Sequence, residues 1–229
     1  MDIGRAVAYI FEDKNWMSKL LPLLIIWVFS LIPIFGLVAV ALGIGYMLFL
    51  ASNVRDGLPR PLPKWDDGEI QTKLNVGAQV LMAMIAYNLP TILMAICSYT
   101  LISGLASGFL GSSVTFVVVC CTAPILLLYT AVAWGMLGIG VAEYMETGEW
   151  QRMFRINHLW DALRSNSNTV FQWGLYTFLA NLGIAVIGAI PCIGWVAVAL
   201  FAYPIQGHLF GQFAHRLSIK SKPHKKYAN

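Results

Sequence analysis

A run of thirty-five residues from Leu20 to Val54 contains no Asp, Glu, Lys, Arg or His, and it constrains the fold more than any other stretch. One straight helix of this length would measure roughly 52 Å, against about 30 Å for the hydrocarbon core of a bilayer. Pro33 lacks an amide donor and disfavours the helical conformation at Ile32, while Gly36 is able to take a positive φ. The run is therefore predicted to be a helical hairpin with both ends on the same side. Each arm is slightly short, so the hairpin is predicted either to cross fully or to be re-entrant.

The same hairpin pattern recurs near the end of the chain. The eleven residues of Ile190–Leu200 repeat those of Ile32–Leu42, with eight identities that include the Pro and the Gly. A shared turn inside a shared apolar run indicates more than similar composition, and we interpret it as an internal repeat.

The composition indicates an integral membrane protein. Only 11% of residues are charged and 58% are hydrophobic, whereas soluble globular chains average about 25% and 45–50%. Asp, Glu, Lys and Arg are absent from three long blocks, Leu20–Val54, Leu74–Ala142 and Ser165–His215. The mixed charges before the first block do not resemble a cleaved signal, so the first hairpin is expected in the mature protein. The four cysteines lie in apolar segments without metal-site spacing, which favours helix packing.

Amphipathic or extended segments precede each apolar hairpin. Residues 2–18 are predicted to form an interfacial helix that places Ile3, Ala6, Val7 and Ile10 on one face. The Pro-rich segment 55–69 is predicted to be extended until Asp66 caps the next helix, with Asp67 and Glu69 in its first turn. A second interfacial helix is predicted over Glu149–Ser165, with one face made by Met153, Ile156, Trp160 and Leu163.

The predicted fold is an all-α integral membrane protein with six transmembrane, or partly re-entrant, helices arranged as three hairpins. The middle block has room for helices at 76–102 and 114–142, kinked at Pro90 and Pro124, and the last hairpin for helices at 169–190 and 193–214. One membrane domain results, divided into residues 1–56, 57–144 and 145–216 and a basic tail at 217–229. All 15 Lys and Arg and all 11 Asp and Glu then lie on one face, which the positive-inside rule makes cytoplasmic with both termini. Three shorter middle spans also fit, but they would put the next basic segment on the opposite face.

The chain resembles an uncharacterised prokaryotic membrane family, known as domain of unknown function 4013. The resemblance rests on Asp2-Ile3-Gly4-Arg5-Ala6, Gly45-Tyr46, Pro61-Leu62-Pro63-x-Trp65-Asp66-Asp67, Tyr144-x-x-Thr147-Gly148 and Leu163-Arg164-x-Asn166. It covers nearly the whole chain and is most specific in the Pro-Leu-Pro-x-Trp-Asp-Asp segment. It implies a multi-pass protein of the prokaryotic cytoplasmic membrane and supplies no activity.

The ionisable residues do not suggest an enzyme, a metal site or a cofactor site. Asp66 and Asp67 have no nearby His or Cys, and adjacent helical residues do not face one another. Glu143, Glu146 and Glu149 either line a cation entrance or form a solvated helix end that faces Arg152 and Arg155. His208 and His215 are separated by about 10.5 Å along a helix, too far to share a metal ion, so interfacial polar roles are favoured.

We therefore predict a non-catalytic accessory, assembly or organising subunit of a larger membrane complex or homo-oligomer. Its predicted docking surface on the charged face comprises Trp16, Trp65, Asp66, Asp67, Trp160 and Arg164. The alternative is a passive transporter or channel for a small neutral or amphiphilic solute or lipid, along the third span at Asn88, Thr91, Ser98 and Thr100. Those polar groups equally suit bonding between helices. The basic tail is expected to attract anionic lipid; it is too small and too poor in aromatic residues to indicate nucleic acid binding.

Overall fold

The structure, a computed structural model, describes residues 1–105 and 111–221. Within them the chain folds into helices and no strand. Their order is α1 (Ile3–Glu12), α2 (Trp16–Ser30), α3 (Pro33–Arg55), α4 (Asp67–Leu105), α5 (Gly111–Thr147), a 3₁₀ helix (Trp150–Phe154), α6 (Ile156–Ser165), α7 (Ser167–Gly188) and α8 (Ile193–Ser221). Most of the predicted basic tail and the centre of the predicted 103–113 connection lie outside the described residues.

Among the described residues, five helices are long and apolar enough to cross a membrane: α3, α4, α5, α7 and α8. The apolar helix α2 has 15 residues and is shorter than that group. These properties are those of a multi-pass helical membrane protein, which agrees with the prediction at that level.

The α2–α3 connection follows the sequence prediction, although its glycine acts differently. Leu31 is the last helical-conformation residue, Ile32 is extended, and Pro33 occupies the first turn of α3, where its missing N–H costs nothing. Gly36 does not take the predicted positive φ. It is instead required by close approach, because a Cβ there would lie 2.8 Å from the Ser30 carbonyl oxygen.

The α7–α8 connection is similar in outline and different in detail. A Cβ on Gly194 would lie 2.1 Å from the Ile187 carbonyl oxygen, so this glycine also allows close approach of the chain to itself. Cys192 takes the left-handed φ of 63°, whereas Pro191 precedes α8 rather than starting it. The internal repeat remains a prediction.

Helix α3 lies against both α4 and α8. A Cβ on Gly45 would lie 1.9 Å from the Lys73 carbonyl oxygen, and one on Gly77 would lie 1.8 Å from the Ala41 carbonyl oxygen. These pairs fix α3 and α4 as antiparallel helices whose backbones nearly touch, a packing mode that small residues permit in membranes.

Helix α8 runs parallel to α3 along its other side. Gly207 of α8 approaches the Met47 carbonyl, and Gly211, one turn later, approaches the carbonyl of Ala51. The buried residues form two clusters around α3: one with α4, α5 and α8, and one with α1, α2 and α8.

Helices α4 and α5 are longer than the predicted 76–102 and 114–142. They run without interruption through Pro90 and Pro124 and have 39 and 37 residues. The phenolic hydroxyl of Tyr129 donates a 2.9 Å hydrogen bond to the Tyr87 carbonyl, close to where Pro90 removes a backbone donor. The prolines are thus accommodated within continuous helices.

The two predicted interfacial helices are both interrupted. Helix α1 ends at Glu12 rather than near residue 18, since Asp13 is extended and its carboxylate accepts the Asn15 N–H. Of its predicted apolar face, Ala6 and Ile10 are buried in the protein, and Val7 is 38% exposed.

The predicted Glu149–Ser165 helix breaks at Arg155, which has φ −79° and ψ 72°. The break places Met153 in the 3₁₀ helix, whereas Ile156, Trp160 and Leu163 remain together on α6, so the four residues do not lie on one continuous helix. Met153 and Leu159 are fully buried, whereas Ile156 is 63% exposed and Trp160 38% exposed.

Candidate functional site

The Pro-rich segment between α3 and α4 is attached to the helices through Trp65. Its indole ring stacks on Tyr46 of α3, with ring centroids 4.9 Å apart and an interplanar angle of 8°. The indole N–H donates a 2.7 Å hydrogen bond to the carbonyl of Lys19 in α2. Trp65 therefore joins the segment to two helices.

Lys73 of α4 also holds the Pro-rich segment, next to Trp65. Its side chain is fully buried, and its ammonium donates to the Lys64 carbonyl and, at 2.6 Å, to Oε2 of Glu69. The ammonium also lies 5.4 Å from the ring centroids of Trp65 and Phe49, within range of a cation–π interaction. A buried cation is costly unless it is paired and hydrogen-bonded, and here it is both.

A second cation attaches the middle of the segment. Nζ of Lys19 bonds to Oδ2 of Asp13 at 2.6 Å and to the Leu62 carbonyl at 3.1 Å. Burial opposes ionisation of Asp13, but the hydrogen bonds from Lys19 and from the Asn15 N–H outweigh it, so the pKa of Asp13 lies below its ordinary value. We call this network of ring and carbonyl contacts the loop clamp; its donors are Trp65, Lys19, Lys73 and Asn53, whose amide donates 2.8 Å to the Pro61 carbonyl.

The structure separates the predicted docking residues into two groups. Trp65 belongs to the loop clamp, and Asp66 immediately precedes α4, where its carbonyl accepts the Ile70 N–H. Asp67 begins α4, and its side chain lies outside what the structure describes. Trp16 begins α2 and its ring centroid lies 5.4 Å from that of Phe11.

Trp160 and Arg164 form the separate group on α6. The guanidinium carbon of Arg164 lies 4.9 Å from the ring centroid of Trp160. This stacked pair is exposed, so it presents a cationic and aromatic surface. It is the part of the predicted docking surface that lies on α6.

The predicted polar path follows the outer part of α4. The Asn88 amide donates to the Met84 carbonyl at 2.7 Å, and the Thr100 hydroxyl donates to the Cys97 carbonyl at 2.9 Å. The Thr91 hydroxyl is buried without a described partner, and Ser98 is partly buried. Asn88 and Thr100 are thus engaged by their own helix.

The acidic end of α5 lies beside α6. Glu143 bonds to Nε2 of His158 at 2.9 Å, and these two residues border a hollow of about 650 Å³ together with Glu146. The carboxylate of Glu149 pairs with Arg152 at 2.9 Å, and this contact lowers the pKa of Glu149. Within residues 1–105 and 111–221, no group of three or more His, Cys, Asp and Glu is arranged to hold a metal ion.

A cleft of about 400 Å³ between α3, α4, α5, α7 and α8 was not predicted from the sequence. Most of its lining is apolar, as the residues Ile44, Leu137 and Phe210 illustrate. Its polar groups include Asn181 and Gln206, joined by a 2.9 Å hydrogen bond, and the Thr177 hydroxyl, which is buried without a described partner. Uncharged amides inside apolar helices were the signal for this site, but only the fold shows that α7 and α8 bring them together.

One protein family matches this chain. The match is to "Protein of unknown function (DUF4013)" and covers residues 28–193. The chain belongs to this family. No curated protein and no solved structure matches the chain.

The most specific DUF4013-like segment of this chain has a structural role. Gly45 permits the approach of α3 to α4, and the adjacent Tyr46 receives the Trp65 ring. The Pro61 and Leu62 carbonyls accept from Asn53 and Lys19, two donors of the loop clamp. Gly148 ends α5 with a φ of 73°, and its N–H bonds to the Tyr144 carbonyl as in a glycine C-cap. In this DUF4013 protein, these motif residues hold the Pro-rich segment against α3 and end α5. The resembling N-terminal residues before position 28 lie outside the matched range.

Proposed function

We propose that this DUF4013 protein is a six-pass, non-catalytic accessory or organising subunit of the prokaryotic cytoplasmic membrane. In this proposal α2 is the sixth crossing, the charged face and both termini are cytoplasmic, and one long hairpin receives a membrane partner. The observation that carries the proposal is the length of the α4–α5 hairpin. The exposed pair Trp160 and Arg164 adds a cytoplasmic contact for the same partner.

The α4–α5 hairpin extends well beyond the helix on which it packs. Continuing the antiparallel register set by Gly45 with Lys73 places Pro33, the start of α3, level with Ile85 of α4. Helix α4 continues 20 residues past that level to Leu105, about 30 Å along its own axis. We call the paired ends, residues 86–105 and 111–132, the distal hairpin.

The distal hairpin has an uncharged sequence and an unburied surface. None of the residues 84–103 and 113–132 whose exposure is described is buried. Phe116 and Leu127 are 70% and 71% exposed, and large apolar side chains of this kind contribute about 1.5–3 kcal/mol each when removed from water. The apolar part of α4, Glu69–Ser103, spans 35 residues, or about 52 Å of helix. To fit within a hydrocarbon core of about 30 Å, this helix would have to tilt by about 55° from the bilayer normal. Transmembrane helices usually tilt by about 0–40°. A partner protein that covers this surface resolves the mismatch.

Photocrosslinking in native membranes tests the partner. A photoreactive residue replaces Leu127 on the distal hairpin or Phe178 on α7, two apolar positions exposed to 71% and 64%. We expect a protein adduct of one defined mass from position 127 and only lipid adducts from position 178. Lipid adducts alone at both positions would remove the basis of the accessory role. An adduct of twice the chain mass would instead show that a second copy of this chain covers the distal hairpin, as in a homo-oligomer.

The proposed topology has its own test. Cys192 lies in the α7–α8 turn, and Arg60 lies in the exposed part of the Pro-rich segment. In intact cells a membrane-impermeant thiol reagent should label a chain whose only thiol is Cys192, whereas a lone Arg60→Cys thiol should react only after the membrane is opened. Reaction of both thiols in intact cells would contradict the six-pass arrangement.

The apolar cleft of about 400 Å³ between α3, α4, α5, α7 and α8 favours a second candidate function, passage or holding of a small amphiphile. A cavity with mostly apolar walls and a few polar groups is the usual form of a small-molecule site. Flux or retention of neutral amphiphiles in liposomes measures this activity. The double change Asn181→Leu and Gln206→Leu, which removes the 2.9 Å amide pair, should alter it. No difference from the unaltered protein would count against this function.

A further inference from the structure

We propose that a polar cleft at the charged face binds the headgroup of a phospholipid that carries both a phosphodiester and a primary ammonium, as a phosphoethanolamine headgroup does. The cleft has a volume of about 570 Å³ and lies between α1, the segment that follows α3, and the end of α8. This size is within the range of small-molecule sites. The inference is independent of the accessory role, because it requires only that the cleft lie beside a bilayer.

The back of the cleft is a fixed hydrogen-bond network between α1 and α8. The Asp2 N–H donates to Oε1 of Gln212 at 2.8 Å, and Nε2 of Gln212 donates to the Asp2 carbonyl at 3.2 Å. Because the two backbone groups of Asp2 fix the amide orientation, Nε2 of Gln212 must also be the donor to Nδ1 of His208 at 3.0 Å. His208 thus accepts at Nδ1 and, as a neutral ring, carries its proton on Nε2.

Aromatic stacking and a second histidine complete this network. The Tyr9 ring stacks on the His208 ring at 4.5 Å, and the Tyr9 hydroxyl donates a 3.1 Å hydrogen bond to the Pro204 carbonyl. Nδ1 of His215 lies 2.9 Å from the Arg55 carbonyl, which can only accept, so this nitrogen carries a proton. The cleft is therefore held open by contacts among α1, α3 and α8 and does not depend on a bound molecule.

Four charged side chains of both signs border the cleft: Arg5, Arg216, Asp2 and Glu12. None of them forms an ion pair with another residue that the structure describes. One amino group of the Arg216 guanidinium donates to Gln172, and one oxygen of Asp2 accepts the Arg5 backbone N–H. Most of the charged hydrogen-bonding capacity at this cleft is thus unused within the described chain.

The mixture of charges selects the class of ligand. Guanidinium groups recognise phosphate oxygens by paired hydrogen bonds, and carboxylates accept from a primary ammonium. Arg5 and Glu12 are two helical turns apart, so they lie on the same side of α1. A purely anionic headgroup would leave the two carboxylates without a partner, and a quaternary ammonium would supply no N–H for them. The apolar side chains of Val7 and Phe11 are exposed on the same helix, where they suit contact with acyl chains.

Native mass spectrometry of the delipidated full chain tests the proposal with defined lipids. The probes are phosphatidylethanolamine, phosphatidylglycerol and phosphatidylcholine, offered at equal concentration. We expect the ethanolamine lipid to bind about tenfold more tightly than the other two, the scale of one charge-assisted hydrogen bond. The double variant Arg5→Gln, Glu12→Gln should lose this preference while it keeps the net charge.

The control variant is Arg152→Gln, Glu149→Gln, which removes one charge of each sign from an exposed pair far along the chain. This control should keep the preference for the ethanolamine lipid. A loss of preference in the Arg5, Glu12 variant alone then reflects the position of the charges and not their number. The single variant Arg216→Gln should weaken binding of all three lipids and serves as a second cleft variant if the double variant unfolds, which a thermal melt detects.

Equal binding of the three lipids, or a preserved preference in the double variant, would overturn the proposal. Soluble glycerophosphoethanolamine provides the arm that distinguishes a lipid from a free headgroup. We expect it to displace the lipid only at concentrations far above that of the lipid. Displacement at an equal concentration would assign the site to a soluble phosphoethanolamine and would contradict the membrane ligand.

Discussion

The substitution Gly45→Ala tests whether the contact between α3 and α4 organises the fold. A Cβ at this buried position would lie 1.9 Å from the Lys73 carbonyl oxygen, whereas ordinary contact begins near 3.4 Å. The two backbones must therefore separate by about 1.5 Å, the difference between these distances. Neither side has a flexible side chain that is able to yield, because the obstructing atom belongs to the backbone. Overpacking of this kind typically costs about 1–3 kcal/mol, and the rigid partner places this case at the upper end.

The matched control is the same change at Gly183 of α7, where an added Cβ meets no atom within 4 Å. There the Ala removes the helix-weakening effect of Gly and should stabilise the protein by about 0.5–1 kcal/mol. Unfolding of both variants in mild detergent measures the two free energies. We expect opposite signs and a difference of about 3 kcal/mol. Equal effects for the two variants would refute the close α3–α4 contact.

Three further substitutions address the charged face. Lys73→Met should lower the free energy of unfolding by about 1–3 kcal/mol, because it leaves a loop carbonyl without a donor and removes the cation beside Trp65. A lower unfolding midpoint and faster proteolysis of the Pro-rich segment would measure this loss. Asp13→Asn should destabilise the protein most at neutral pH, since the pKa of Asp13 is depressed by Lys19. In pH-dependent melts the difference should begin to shrink as the pH falls below about 4, the ordinary Asp pKa, and should vanish only below the depressed pKa of the folded state. Tyr9→Phe should lower stability by about 0.5–1.5 kcal/mol through the lost hydroxyl hydrogen bond, measured by thermal unfolding.

The α2–α3 and α7–α8 turns were predictable because their signals are local. Pro33 and its neighbours mark the α2–α3 turn, and both ends of α7 and the start of α8 lie within two residues of the predicted positions. Helix α8 continues to Ser221, seven residues beyond its predicted end at 214. The spans in α4 and α5 were predicted too short, since a bilayer thickness was used to limit them. At the uncharged connection the difference is only three residues on each side, with ends at Leu105 and Gly111. The larger extensions, to Asp67 and Thr147, are at the charged ends, where α4 begins directly after Asp66, the residue predicted to cap it.

The loop clamp could not have been predicted in full. The Pro-Leu-Pro-x-Trp segment identified the right residues, but its predicted role was external docking. A Trp beside prolines has the same sequence signature whether its ring points outward or stacks on Tyr46. The burial of Lys73 was even harder to predict, because this residue lies at the border of an uncharged block, where a lysine normally extends toward water. Only the packing of the segment over α4 makes it a fully buried side chain.

The loop clamp also gives a physical reason for the two lysines beside the Pro-rich segment. Backbone without helical hydrogen bonds is tolerated near the hydrocarbon core only when its polar groups find partners within the protein. The carbonyls of the Pro-rich segment receive donors from Asn53, Lys19 and Lys73, each from a different helix. Both lysines have carboxylate partners, yet each also bonds to a loop carbonyl, so charge pairing alone does not explain their positions. They act first as donors that allow an extended segment to lie against the bundle, and a side chain of similar length without a donor would not replace them.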